Sequence, residues 1–245
     1  MSYDPRQRAG AIPAGRADMA VDAGLRSFML GVYNKMALGL LLSGGLAYAV
    51  GMTPALSQTL LTPPLVFAVM FGPLAILLIS SFAMKNPSPL AASLVYWSVV
   101  ALIGVGMGSI VYVYARIPDG MLTVAKAFLV TSASFGALSL WGYTTKRDLS
   151  AFGTFLIMGL IGIIIASVVN MFVHSSMMSF IISILGVLIF AGLTAYDTQR
   201  LKHTYYQLQG DTRSMAVATT YGALSLYLNF INLFQFILRL MSSRN

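Results

Sequence analysis

Asp197 closes an apolar run in the stretch AYDTQRLKH, residues Ala195–His203, and a set of polar residues recurs along a later run. An ionised carboxylate at the centre of a membrane helix costs about 2.5–3.5 kcal/mol of insertion free energy. An acid in that setting needs either a place at the interface or a partner. Arg200, three residues on, supplies an ion pair at one helical turn. Upstream, Ser183, Gly186 and Thr194 fall roughly on the face of Asp197, a small and polar seam. In the later run, Tyr221, Ser225, Asn229, Asn232, Gln235 and Arg239 follow at spacings of three or four, which stacks them on one side of a helix, with Phe230, Phe234 and Ile237 opposite. Such a stripe faces the interior of a bundle. There it either holds helices together, at about 0.6 kcal/mol per contact, or lines a path for ions or protons. Holding suffices for Ser225; for Asn229 and Asn232 both readings stay open.

Other chemistries lack their residues. The chain has no Cys and two His, and all seven of its acids are Asp. A zinc site takes three or four ligands, and His174 and His203 stand in different connectors. No HExxH or GxxxxGK pattern occurs, and no cofactor is implied. Intramembrane proteolysis would need a Ser-His pair at one depth or two Asp on facing helices, so an enzyme is not expected. The formal charge of +8 does not gather into a basic stripe with interleaved aromatics, which argues against nucleic acid.

The elements that must position these residues are helices in a bilayer. Of 245 residues, 58% are hydrophobic and 9% charged, against about 45–50% and about 25% in soluble domains. Seven apolar runs, near 28–50, 64–83, 90–112, 121–143, 151–173, 177–196 and 217–241, reach the roughly 20 residues that a spanning helix needs. They are continuous rather than alternating, so a β-barrel is excluded and an all-α integral membrane protein is expected. Residues 1–25 read as a flexible cytoplasmic tail and 26–245 as the membrane domain. Connectors rich in Lys and Arg alternate with poor ones, which places the N-terminus in the cytoplasm and, after seven crossings, the C-terminus outside. Arg239 and Arg244 leave open a re-entrant last segment. Gly104 and Gly108 form a small-xxx-small pair suited to close helix packing. Lys35, early in the first run, is expected to snorkel to the surface.

Four blocks then resemble the Bax inhibitor family, the transmembrane Bax inhibitor motif proteins, in its bacterial branch. They are DAGLRSFMLGVYNKMALGL at the first run, FGALSLWGYTTKRDLS after the fourth, AGLTAYDTQRLK at the sixth and GALSLYLNFINLF in the seventh. The resemblance covers about Asp22 to Met241 and implies a bacterial cytoplasmic (inner) membrane protein whose seventh helix is central and wrapped by six others. It further implies a gate. In such relatives two aspartates, one ending the sixth helix and one within the seventh, form a hydrogen-bonded, pH-sensing pair that closes a pore and controls Ca²⁺ leakage.

Asp197 matches the first of these positions, but Asn229 stands where those relatives have Asp, in LYLDFINLF. Two neighbouring carboxylates share a proton and titrate as a pair, which an Asp–Asn pair cannot do. Asn229 resembles a permanently protonated Asp, able to donate its amide hydrogen to Asp197. Depth counting alone does not bring them together: Arg213 to Asn229 spans about 24 Å of helix, whereas Asp197 lies three residues from Arg200. The basic residue that relatives carry on the second helix near the pair has only Lys85 to match it.

The expected gate is therefore Asp197 with Asn229, supported by Tyr221, Ser225, Asn232, Arg200 and Thr194. The partners are the lipid bilayer and Ca²⁺ or another cation, held at most weakly at Asp197 because one acid is a poor match to six to eight oxygens. The alternative is a non-transporting modulator of a membrane protease or stress response, acting through its N-terminal tail.

Overall fold

The computed structural model describes residues 14–242, with side chains from residue 23 onward. Eight helices and no strand occur among the described residues: α1 (Ala14–Met52), α2 (Pro54–Leu60), α3 (Leu65–Ala83), α4 (Pro89–Tyr114), α5 (Gly120–Thr144), α6 (Ser150–Val173), α7 (Ser176–Gln207) and α8 (Thr212–Ser242). All but α2 are long and apolar enough to cross a membrane. The tail read as running to Leu25 is helical from Ala14, and its residues 1–13 lie outside the described residues.

Local signals set the ends. Ser88 accepts a hydrogen bond from the Ala91 amide, with Pro89 at the first helical position of α4, where the missing N–H costs nothing. Ser175 caps α7 through the Met178 amide. Asn170 closes the turn before it, its Oδ1 accepting from the Ser175 amide at 3.0 Å and its Nδ2 donating to Ser179 Oγ at 2.7 Å. Asn170, to which sequence alone assigned no role, thus fixes the α6–α7 connection. The seven-residue α2 was not foreseen, being too short to show a period; Pro54 at its first turn was the available signal.

Helix α1 packs along α4, and Gly104 and Gly108 make that contact close. A Cβ on Gly104 would stand 2.7 Å from the Ser43 Cα, and one on Gly108 would stand 2.6 Å from the Val50 side chain. Helix α8 lies between the α1/α4 pair and the α5/α7 pair, while α3 backs onto α4 and α6 backs onto α7. The last helix is the most buried of the seven, 61% of its most apolar window against 11% for α3 and for α6. Four helices pack against it rather than six, because among the described residues α3 and α6 do not reach it. They turn Phe67, Met70, Phe82, Phe155, Met158 and Phe172 outward, an apolar surface that implies a lipid environment.

Those two gaps are cavities. One of about 630 Å³ lies between α6, α7 and α8; the other, about 790 Å³, lies between α3, α4 and α8. Asn232 and Arg239 line both. On its opposite face α8 buries Phe230 and Phe234 against α5, where Phe128 and Phe135 meet Phe230 edge-on at 5.6 and 5.5 Å. Helix α8 is one uninterrupted helix of 31 residues, about 46 Å long, so it is not a re-entrant hairpin. Its end meets the end of α4 through a hydrogen bond between Tyr114 and Ser242.

Candidate functional site

Helices α7 and α8 are antiparallel neighbours whose register is set by two close approaches. A Cβ on Gly222 would meet Leu201 at 2.4 Å, and one on Gly186 would meet the Phe236 ring at 2.6 Å. That register puts Ser225 level with Asp197 and Asn229 one turn farther along. Side chains lean toward their own helix N-terminus, so on antiparallel helices Asp197 and Asn229 lean toward each other and the one-turn offset closes. The depth mismatch disappears for a further reason. Helix α7 does not end near Tyr196 but continues to Gln207, and α8 starts at Thr212 rather than near Val217, which leaves Asp197 well inside a helix.

The Asp197 carboxylate is buried and fully engaged. Its Oδ2 accepts from Ser225 Oγ and from Asn229 Nδ2, each at 2.7 Å. Its Oδ1 pairs with Arg200 Nη2 at 2.9 Å, and Arg200 also donates to Ser225 Oγ at 3.3 Å. Arg200 is 49% exposed, so the ion pair runs from the protein interior to its surface. Hydrogen bonds to a charged acceptor are worth about 1.5–3 kcal/mol each. Two of them cross from α8 to α7 and end on one oxygen.

The structure brings together Asp197, Asn229, Ser225 and Arg200, and leaves the other expected residues aside. Thr194 spends its hydroxyl on the Phe190 carbonyl at 2.8 Å. Asn232 bonds the Leu228 carbonyl at 2.8 Å and faces the two cavities. Tyr221 packs half-buried against the core. Lys85 is exposed beyond α3, a helix that does not touch α7, so Arg200 is the basic partner of the acid. Both oxygens of Asp197 are thus engaged by protein donors in this arrangement. No group of three His, Cys, Asp or Glu gathers among the described residues.

Sequence reasoning missed three neighbours. Lys35 does not simply snorkel: its Nζ donates to Thr220 Oγ1 at 2.7 Å and to Ser93 Oγ at 3.1 Å, tying α1 to α8 and α4. Thr198, next to Asp197, continues a hydroxyl chain through Ser139 at 2.9 Å to Tyr33 at 2.5 Å. Gln199 is buried and pins the α5–α6 connector, its Oε1 accepting from the Leu149 amide at 2.9 Å and its Nε2 donating to the Arg147 carbonyl at 2.7 Å. The Gln199 signal was available, since a Gln two residues past a buried acid on a helix also needs partners.

The cluster stands between two spaces. The 630 Å³ cavity reaches Ser225 and Asn229 from the side of Arg239. A bowl of about 560 Å³, at the end carrying Lys146, Arg147 and Lys202, reaches Tyr196, Gln199 and Arg200. Asp197 lines neither and is bonded to residues of both.

Seven membrane-length apolar helices, with an acid-centred latch between the last two, define a polytopic helical membrane protein with a polar contact in its interior. Residues 25–245 match the family described as "Inhibitor of apoptosis-promoting Bax1", Bax1-I, and the chain belongs to that family. It is 56% identical over 242 residues to an uncharacterized protein of Caulobacter vibrioides, covering 95% of each chain. It is 39% identical over 233 residues to the inner membrane protein YbhL of Escherichia coli, covering 94% of this chain and 97% of that one. An uncharacterized membrane protein of Streptococcus pyogenes is 37% identical over 225 residues, covering 89% of this chain and 93% of that one.

Proposed function

We propose that this protein is a cation leak of the bacterial cytoplasmic membrane, with Ca²⁺ among the ions passed, and that the Asp197 cluster is its gate. The observation that carries this is the place of the cluster: one buried carboxylate, bonded across α7 and α8, takes hydrogen bonds from Ser225 and Asn229, which line the 630 Å³ cavity, and an ion pair from Arg200, which lines the basic bowl. The end bearing Lys85, Lys146, Arg147, Lys202 and Arg213 faces the cytoplasm, because positive residues are retained there. The name of the Escherichia coli relative, an inner membrane protein, supports the location.

In the closed state Asp197 draws Arg200 inward and takes Ser225 and Asn229 from α8. Protonation removes the charge that holds Arg200 and leaves one acceptor fewer, which loosens α7 from α8 and joins the two spaces. Asn229 keeps the hydrogen bond of a two-acid gate and removes one of its titrating groups, so the leak answers to one carboxyl.

Purified protein in liposomes, with Ca²⁺ entry followed by a trapped dye, tests the reading. Asp197→Asn should raise the leak over wild type and flatten its pH response. If neither protein passes Ca²⁺ or another small cation faster than protein-free liposomes, the leak is wrong and an interaction role takes its place. Since the chain has no Cys, a single Cys placed at Lys146 and labelled from one side of intact cells tests the orientation.

A further inference from the structure

We propose that the bowl at the basic end binds a phosphate group, and that the bound anion competes with Asp197 for Arg200. Lys146 and Arg147 from the α5–α6 connector and Arg200, Lys202 and His203 from α7 surround one open space of about 560 Å³, with Asp148 the one acid on its wall. Orientation in a bilayer asks that positive residues lie on one side. It does not ask that they converge.

Three features make the convergence a built site. The backbone that presents Lys146 and Arg147 is held by the buried Gln199 through both ends of its amide, so the connector keeps its shape without a ligand. The one acid is outnumbered, and its Oδ1 already accepts from the Ser150 amide at 2.9 Å. Among the described residues the side chains of Lys146 and Arg147 have no carboxylate within ion-pair distance, since the ion pair found there is Asp197 with Arg200. A cup in which five basic side chains face one acid, on fixed backbone and open to the aqueous edge of the membrane, suits a phosphate anion. Guanidinium groups favour phosphate because their planar donor fork matches two of its oxygens.

Arg200 links this site to the gate. Arg200 lines the bowl, and its guanidinium pairs with Asp197 at 2.9 Å while the side chain stays half exposed, so it can turn toward an anion without crossing the interior. A phosphate group there draws Arg200 off the carboxylate, and the carboxylate in turn weakens phosphate binding, since coupling of two equilibria is reciprocal. The phosphate belongs to an anionic lipid headgroup of the adjoining leaflet or to a soluble phosphate. Binding stands apart from the leak reading, and its effect on flux alone rests on that reading.

Calorimetric titration of inorganic phosphate into the full chain in detergent, at constant ionic strength and against a chloride control, tests the site. Lys146→Gln with Arg147→Gln should weaken binding about tenfold, as the loss of two charge-assisted contacts implies. Both side chains are exposed, so the fold should be unaffected. Arg200→Gln should weaken binding likewise, and Asp197→Asn, which frees Arg200, should tighten it about threefold or more. In nanodiscs of phosphatidylcholine the phosphate heat should persist. Its loss when phosphatidylglycerol is added makes the headgroup the occupant, and its persistence makes a soluble phosphate the occupant. Absence of phosphate heat in both detergent and phosphatidylcholine nanodiscs, or equal binding by the Lys146→Gln/Arg147→Gln protein, would overturn the site. Unchanged affinity in Asp197→Asn would overturn the competition. A leak that persists in a protein that binds no phosphate would leave the gate reading standing while this one fails.

Discussion

Replacing Asn229 with Asp puts a second carboxyl where an amide now donates at 2.7 Å to Asp197 Oδ2. With charge centres about 4 Å apart and an effective dielectric of about 20, ionising both acids costs about 4 kcal/mol. That equals roughly a thousandfold gain in proton affinity for the pair. One proton should therefore be shared well above the pH at which a lone Asp ionises, making the hydrogen bond that the amide makes now. The sign follows from linkage. The folded variant holds a proton more tightly than the unfolded chain does, so this contribution is fully present at low pH and is lost as pH rises through the folded pair's titration. Arg200, on the Oδ1 side, offsets part of the repulsion, and the gap should be a few kcal/mol at most. Thermal unfolding of wild type and Asn229→Asp in detergent from pH 5 to 9 should give curves that lie closest at pH 5 and separate progressively as pH rises through neutrality. In liposomes the variant's leak should gain a second titration beside the single one of wild type. A melting difference that stays constant across this range would refute the contact, because repulsion at hydrogen-bond distance cannot be independent of pH.

Four further outcomes follow from the same geometry. Gly104→Ala should lower stability by about 1–3 kcal/mol through overpacking, seen as a lower Tm, because its Cβ would press on the Ser43 backbone rather than on a side chain free to move. Gln199→Ala leaves the amide of buried Leu149 without its acceptor, a loss of about 1–3 kcal/mol. Faster tryptic cleavage after Lys146 or Arg147 would report the released connector. Lys35→Ala should destabilise by about 1 kcal/mol, and Ser93→Ala should cost less because Thr220 still receives the ammonium. Hydrogen bonds from Ser150 and Ser214 hold the exposed carboxyls of Asp148 and Asp211 below their ordinary range. Their contribution to stability is present above about pH 4 and is lost on further acidification. Asp148→Asn with Asp211→Asn should reduce the slope of Tm against pH in that acid region and leave it unchanged at neutral pH.

The sequence by itself determined that this is a seven-helix membrane protein, because bilayer thickness and the need to satisfy every backbone group leave long apolar runs one solution. It also marked the residues that lipid would reject. An acid closing an apolar run and a polar stripe at helical spacing are visible without coordinates, and so is the Gly104–Gly108 pair that lets α1 approach α4. Only the tertiary structure decided which of them meet. Tyr221, Ser225, Asn229 and Asn232 share one stripe, yet the antiparallel register of α7 and α8 sends Ser225 and Asn229 to Asp197 and turns Asn232 to the cavities. Hydropathy places the end of a helix where apolar residues stop. Helix α7 runs on past that point to Gln207, and this continuation, with the lean of side chains toward each helix N-terminus, turns an apparent mismatch of depth into a contact of 2.7 Å.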